Sequence, residues 1–308
     1  MTPQDLLRTT MAYTCYVGME TDLIFNKGID LPGFAAFPLL ESAETRALVK
    51  SYAKQQVGIA RLAGMGTILE TPTWMANADR AAPLGYVADQ IPAITADAIA
   101  LMRSVDPGDT PVLISTNLGP RADAYTPSDQ MTVQEARTYH MLQIKAAADA
   151  KADLISGFTL GYSNEAAGIA LAARDCGIPV VISFTVETDG HLPSGESLGS
   201  AIAAVDAETG EYPAYYMINC AHPDHFKNVF DDPTVAARVS GLVVNASRCS
   251  HAELDEAEKL DDGDPTELGL QMGALAKRYA GLRVFGGCCG TDARHMTEIA
   301  RNVAKART

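Results

Sequence analysis

The chain has 308 residues, 47% of them apolar, and carries 24 Lys and Arg against 38 Asp and Glu, a formal charge of -14. That length can bury a large core, while the acidic balance argues against nucleic acid or an anionic membrane as partner, because both ask for a cationic surface; small molecules are the expected ligands. No apolar run reaches the roughly 18 residues of a membrane span, and Met1-Thr2-Pro3-Gln4-Asp5 lacks the basic and apolar segments of a leader, so a soluble cytoplasmic protein is expected, compatible with a homo-oligomer.

In chain order, the same alternation recurs eight times: a short β-branched or apolar stretch, a polar turn, then an amphipathic stretch. Strands are predicted over 13–17, 67–71, 112–116, 153–158, 180–186, 215–219, 241–245 and 283–285. Helices are predicted over 44–63, 132–150, 164–176, 197–205, 265–280 and 292–306. Ser163-Asn164-Glu165 and Thr291-Asp292 read as helix starts, and Cys176-Gly177-Ile178-Pro179 as a helix stop. Pro179-Val180-Val181-Ile182-Ser183-Phe184 is apolar at nearly every position, as a parallel strand covered on both faces must be. Eight such units predict an α/β fold, a (β/α)8 barrel formed as a single domain over 1–308. Two irregular segments break the rhythm, 21–42 after the first strand and the acidic 247–264 after the seventh, and both are expected to lie over the catalytic mouth.

Six cysteines are too dilute for a disulfide scaffold, so in a reducing compartment they are free thiols or ligands. Cys220 ends the sixth predicted strand, while Cys288 and Cys289 end the eighth. Barrel active sites are built at the C-terminal ends of strands, so these three thiols face one pole. Three thiolates leave a zinc ion one ligand short of tetrahedral closure, which is the arrangement of a catalytic site. Gly286 and Gly287 remove side chains just before the pair, which lets neighbouring sulfurs aim at one point. Two alternatives stay open on these residues: a vicinal disulfide between Cys288 and Cys289, and His222 supplying a nitrogen in place of one thiol. Cys15, Cys176 and Cys249 read as inert buried thiols.

Ile218-Asn219-Cys220-Ala221-His222-Pro223, followed by Gly286-Gly287-Cys288-Cys289-Gly290-Thr291, resembles the signature of the zinc-dependent homocysteine S-methyltransferase family. Gly18-Met19-Glu20-Thr21 resembles that family's first-strand loop, Glu70-Thr71-Pro72-Thr73-Trp74 its second-strand threonine motif, and Asn245-Ala246-Ser247 its seventh-strand turn. The resemblance implies a methyltransferase of the EC 2.1.1 class in which Cys220, Cys288 and Cys289 hold Zn2+ and homocysteine thiolate takes the fourth place. It further implies Glu20, Thr73, Asn219, Asn245 and Gly287 at the substrate, with no catalytic residue beyond the metal site. The methyl donor would be a sulfonium, an ammonium or a folate, the product methionine. Metal coordination would deprotonate the acceptor thiol, and the transfer itself is an in-line displacement that depends on positioning.

Two departures bear on the acceptor. Where the family's first strand ends Asp-Gly-Gly-Met, this chain reads Tyr16-Val17-Gly18-Met19, and where its fourth carries Glu-Thr, this chain reads Gly157-Phe158-Thr159. Both missing carboxylates serve the amino group of homocysteine, and each charge-assisted hydrogen bond contributes about 1.5–3 kcal/mol. Glu20, Glu70 and Glu187, all predicted near strand ends, are the candidates to replace them. The alternative is a zinc enzyme that methylates a different small thiol or demethylates another methylated compound. Trp74 and Tyr16 offer ring faces to a cationic donor. Gly195-Glu196-Ser197-Leu198-Gly199 lies too far past its strand for a nucleophile elbow and reads as a helix cap. His222 and His225 read as helix-start residues, and His251 with Glu253, Asp255, Glu256 and Glu258 as a solvated loop face.

Overall fold

The computed structural model describes residues 3–127 and 129–307. Eight parallel strands pair in sequence order and close on themselves: β1 (Tyr13–Thr14), β2 (Gly66–Glu70), β3 (Val112–Leu118), β4 (Leu154–Leu160), β5 (Val180–Phe184), β6 (Tyr216–Asn219), β7 (Val239–Val244) and β8 (Val284–Gly287). Between them run the outer helices α1 (Ala43–Leu62), α2 (Ile91–Arg103), α3 (Val133–Asp149), α4 (Ser163–Asp175), α5 (Leu198–Thr209), α6 (Pro233–Arg238), α7 (Pro265–Arg278) and α8 (Ala293–Ala306). The expected (β/α)8 barrel is therefore the observed one.

Local signals explain the boundaries. Ser42, Thr132, Ser197 and Asp292 cap α1, α3, α5 and α8 with their side chains, satisfying amides the first turn leaves open. The Gly195–Gly199 string is thus a cap at Ser197, as its position after the strand required. Every position of β2, β4, β5, β6, β7 and β8 is buried, the mark of strands covered inside and outside. Inside the barrel, Ile68, Leu113, Leu154, Val181, Met217, Val243 and Val284 form one apolar cluster, and a larger one fills the space between strands and helices.

Three features depart from the expected boundaries. α2 begins at Ile91-Pro92 with no side-chain cap hydrogen bond from its N-cap Gln90, and the reading of strands and helices gave it no separate place. β1 pairs over two residues instead of five, because the chain leaves the ladder at Cys15 and is carried on by single bonds, from Cys15 N to Phe285 O (2.9 Å) and from Gly287 N to Tyr16 O (3.0 Å). The segments 21–42 and 247–264 are also less irregular than expected, since they hold short turns at Asp22–Asn26, Pro32–Phe34, Phe37–Leu40 and His251–Asp255. Among the described residues no helix is long and apolar enough to cross a membrane.

Candidate metal centre and active site

At the C-terminal ends of β6 and β8 the sulfurs of Cys220, Cys288 and Cys289 lie within 4.8 Å of one another. Cys220 and Cys288 are buried and Cys289 is half-buried. All three are free thiols, and His222 is not part of the group: its Nδ1 accepts from the Asp224 amide (3.2 Å) instead. Both alternatives left open by the sequence, a vicinal disulfide and a histidine ligand, thus lack support in the geometry. Within the cluster the Cys220 thiol is held well below its ordinary range, because hydrogen bonds from Cys288 and Cys289 favour its thiolate; that charge and burial push Cys288 and Cys289 up.

The backbone around the cluster is tightly determined. Cys220 and Thr159 both take positive φ, 53° and 61°, a conformation non-glycine residues adopt only when the surroundings impose it. Asn219 supplies the constraint: its carboxamide oxygen accepts from Thr159 N (2.9 Å) and Ser183 Oγ (2.7 Å), and its amide donates to Thr159 Oγ1 (2.8 Å). Asn245 joins the two cysteine loops, donating to Cys220 O (3.0 Å) and accepting from Cys289 N (3.1 Å). Thr291 Oγ1 donates to Cys288 O (2.7 Å) and accepts from Gly18 N (3.1 Å), which fastens the first-strand loop to the eighth. A Cβ on Gly18 would lie 2.2 Å from Cys288 O, and one on Gly287 would lie 2.3 Å from Thr291 Oγ1. Close approach, more than a special turn, is what these glycines permit.

Beside the sulfurs opens a cavity of about 50 Å3, lined by Tyr16, Glu20, Trp74, Tyr125, Phe158 and Asn219 among others. Tyr16 and Phe158 meet edge to face at 6.3 Å, and Trp74 Nε1 donates to Phe158 O (3.2 Å), so the two positions without carboxylates form an aromatic wall. A wider chamber of about 390 Å3 adjoins it and shares Thr21, Phe34, Trp74, Tyr125 and Cys289. Its outer lining carries Asp123, Asp255 and Asp261 against Arg80 and Lys259. The loop 21–42 and the turn His251–Asp255 both contribute to it, as expected of segments over the mouth.

The expected site residues divide by position. Glu20 and Asn219 line the inner cavity, Asn245 lines the outer chamber, and Thr73 and Gly287 sit behind the lining. The Thr73 hydroxyl is spent on Thr71 Oγ1 (2.6 Å) and Asn117 O (2.8 Å). Of the candidate acids, Glu20 is buried in the cavity, where desolvation and the charge at Cys220 raise its pKa to about 7. Glu70 lies below, accepting from Ser156 Oγ (2.9 Å) and the Cys15 thiol (3.6 Å). Glu187 faces His251 Nδ1 (3.1 Å).

His251 corrects the sequence reading. The residue is buried and donates from Nε2 to Cys220 O (2.6 Å), so it belongs to the support of the cluster and not to a solvated face. Tyr125 was missed altogether: its half-buried ring lies 4.0 Å from that of His251, and it lines the inner cavity together with Cys220. The available signal was a lone aromatic in the polar run Pro120-Arg121-Ala122-Asp123-Ala124-Tyr125-Thr126-Pro127 after a barrel strand.

Comparison with known proteins bears on this arrangement. A family model described as homocysteine S-methyltransferase matches residues 26–303. Homocysteine S-methyltransferase 4 of Zea mays is 27% identical over 223 residues, 66% of this chain and 62% of that protein. Methionine synthase of Mycobacterium leprae is 29% identical over 136 residues, 42% of this chain and 10% of that much longer protein. This chain therefore spans less than two thirds of either relative. Among solved structures, the oxidized form of the homocysteine methyltransferase MmuM from Escherichia coli superimposes with a TM-score of 0.76 at 20% identity over the whole of both chains. Its metallated form gives 0.73 at 18% identity, covering 97% of this chain and 99% of that one.

Proposed function

The chain belongs to the homocysteine S-methyltransferase family, and from that premise we propose that it is a zinc-dependent enzyme that moves a methyl group from a cationic or folate donor to a thiol, with homocysteine the first acceptor to test. The observation that carries the reading is the convergence of three cysteine sulfurs, from the ends of β6 and β8, beside a cavity that adjoins a wider chamber. Three soft ligands with no fourth Cys, His or acid in the group suit zinc with one place left for an incoming ligand. Zinc bound by Cys220, Cys288 and Cys289 would lower the pKa of a substrate thiol so that it reacts as thiolate at neutral pH.

The chain's own residues do the rest. Asn245, Thr291 and His251 hold the cysteine loops in register, so no reorganisation is needed when the acceptor enters. Tyr16, Trp74 and Phe158 wall the inner cavity and keep water from the thiolate. Phe34, Trp74 and Tyr125 stand where the two spaces meet, so a donor in the outer chamber presents its methyl group across them to the acceptor sulfur, and positioning supplies most of the rate. The sulfur–methyl bond forms as the bond from methyl to the donor's leaving atom breaks, and a positive donor leaves neutral. The surplus of carboxylates around the outer chamber favours such a positive donor.

The test is incubation of the zinc-loaded protein with homocysteine and a panel of sulfonium, ammonium and folate donors, following methionine by mass spectrometry. Methionine from at least one donor is expected; none from any donor removes homocysteine as acceptor. Cys288→Ser should lose both zinc and activity together. Activity that survives in a zinc-free Cys288→Ser protein would refute the metal-dependent reading.

A further inference from the structure

Glu187 is one of the three acids that the sequence offers to the acceptor, yet in the structure it lines neither the inner cavity nor the outer chamber. It stands in the turn after β5, where its amide donates to His191 O (2.8 Å) and its carbonyl accepts from Gly190 N (3.0 Å). With its backbone pinned in this way, the carboxylate Oε1 faces His251 Nδ1 at 3.1 Å. The other ring nitrogen of His251 donates to Cys220 O at 2.6 Å, and the ring of Tyr125 packs against the imidazole with centroids 4.0 Å apart. A buried imidazole with a partner at each nitrogen and a ring against its face is held in one orientation.

The far end of this chain of contacts is the residue where orientation matters most. Cys220 holds φ at 53°, and its carbonyl accepts from both Asn245 Nδ2 (3.0 Å) and His251 Nε2. A residue with a side chain persists in that region only while its surroundings over-determine it. Loss of one of the two donors lets the peptide turn back toward commoner angles and carries the Cys220 sulfur away from those of Cys288 and Cys289, which now lie within 4.8 Å of it.

We propose that Glu187 is a positioning residue for the metal centre: it aims His251 at the Cys220 carbonyl and so holds the Cys220 sulfur in place for zinc, without touching either substrate. The proposal rests on the metal-dependent reading of the site, and it turns an acid expected at the acceptor into one that serves the metal.

The experiment compares Glu187→Ala, Glu187→Gln, His251→Ala and the double variant Glu187→Ala/His251→Ala with wild type, each checked for folding by far-UV circular dichroism. Zinc affinity is read by competition with a chromophoric chelator, and the cobalt-substituted protein by its thiolate-to-metal absorption band. Glu187→Ala should weaken zinc binding by about 10- to 100-fold and shift the cobalt band. Glu187→Gln, whose amide still reaches Nδ1, should stay within about threefold of wild type. The double variant should bind zinc as His251→Ala does, because Glu187 acts only through the imidazole. At saturating zinc, kcat for thiol methylation should fall in Glu187→Ala while KM for the thiol stays within twofold. Zinc affinity of Glu187→Ala within twofold of wild type overturns the proposal, as do losses that add in the double variant. A raised KM at unchanged kcat overturns it too, since that pattern marks a substrate contact. If His251→Ala does not fold, the contrast between Glu187→Ala and Glu187→Gln decides alone. A wild type that holds zinc but methylates no thiol overturns the proposed activity and leaves the zinc comparison to decide this assignment, whereas a wild type that holds no zinc overturns both.

Discussion

At the scale of single residues, Glu70 is the clearest ionisable group apart from the metal cluster. Its second carboxylate oxygen has no partner, and burial raises its pKa from 4.5 to about 7. Between those values the folded chain keeps a proton that the unfolded chain has lost, so stability falls as pH rises from about 4.5 to 7 and is level above. The loss is of the order of 3 kcal/mol. Glu70→Gln cannot ionise and removes this fall: urea unfolding at pH 5 and pH 7.5 should show the variant gaining on wild type at the higher pH. An equal difference at both values would show that Glu70 is not held protonated by the fold. Residues also mark what a lone sequence conceals. The three cysteines were legible because soft ligands at strand ends have few other uses, whereas His251 hid in an acidic run, where its neighbours suggested solvent. Tyr125 hid in a loop, whose path no hydrophobic period encodes.

At the scale of elements, the site depends on loops after β1, β6, β7 and β8 being tied to one another. Asn245 is the central tie, since it serves Cys220 O and Cys289 N at once. Asn245→Ala leaves a buried N–H open and frees the two cysteine loops to move apart; supporting residues of this kind alter metal affinity by roughly 10- to 100-fold. Zinc competition against a chromophoric chelator should show a loss in that range with an unchanged far-UV circular dichroism spectrum. Affinity within twofold of wild type would mean that Thr291 and His251 hold the loops without it. The same ties explain why β1 looked longer from sequence than it is. Residues 15–17 are apolar or aromatic enough to read as strand, yet there the chain turns to lay Gly18 against Cys288, a contact between residues far apart in sequence.

For the molecule as a whole, the architecture was readable because a (β/α)8 barrel writes its period into the chain: strands buried on both faces, capped helices, and turns at regular intervals. Helix α2 escaped because it starts on Ile-Pro after several short turns, with Gln90 and not Ser, Thr, Asp or Asn at its N-cap. Closure of the barrel brings β6 beside β7 and β7 beside β8, and that alone carries Cys220 to Cys288 and Cys289. The central claim is that these three sulfurs hold one metal ion with a place left for the acceptor. X-ray absorption at the zinc edge tests it most directly, on the loaded protein before and after homocysteine. Three sulfur neighbours per zinc rising to four is the predicted result; fewer than three at the start, or no change when the thiol is added, would contradict the account.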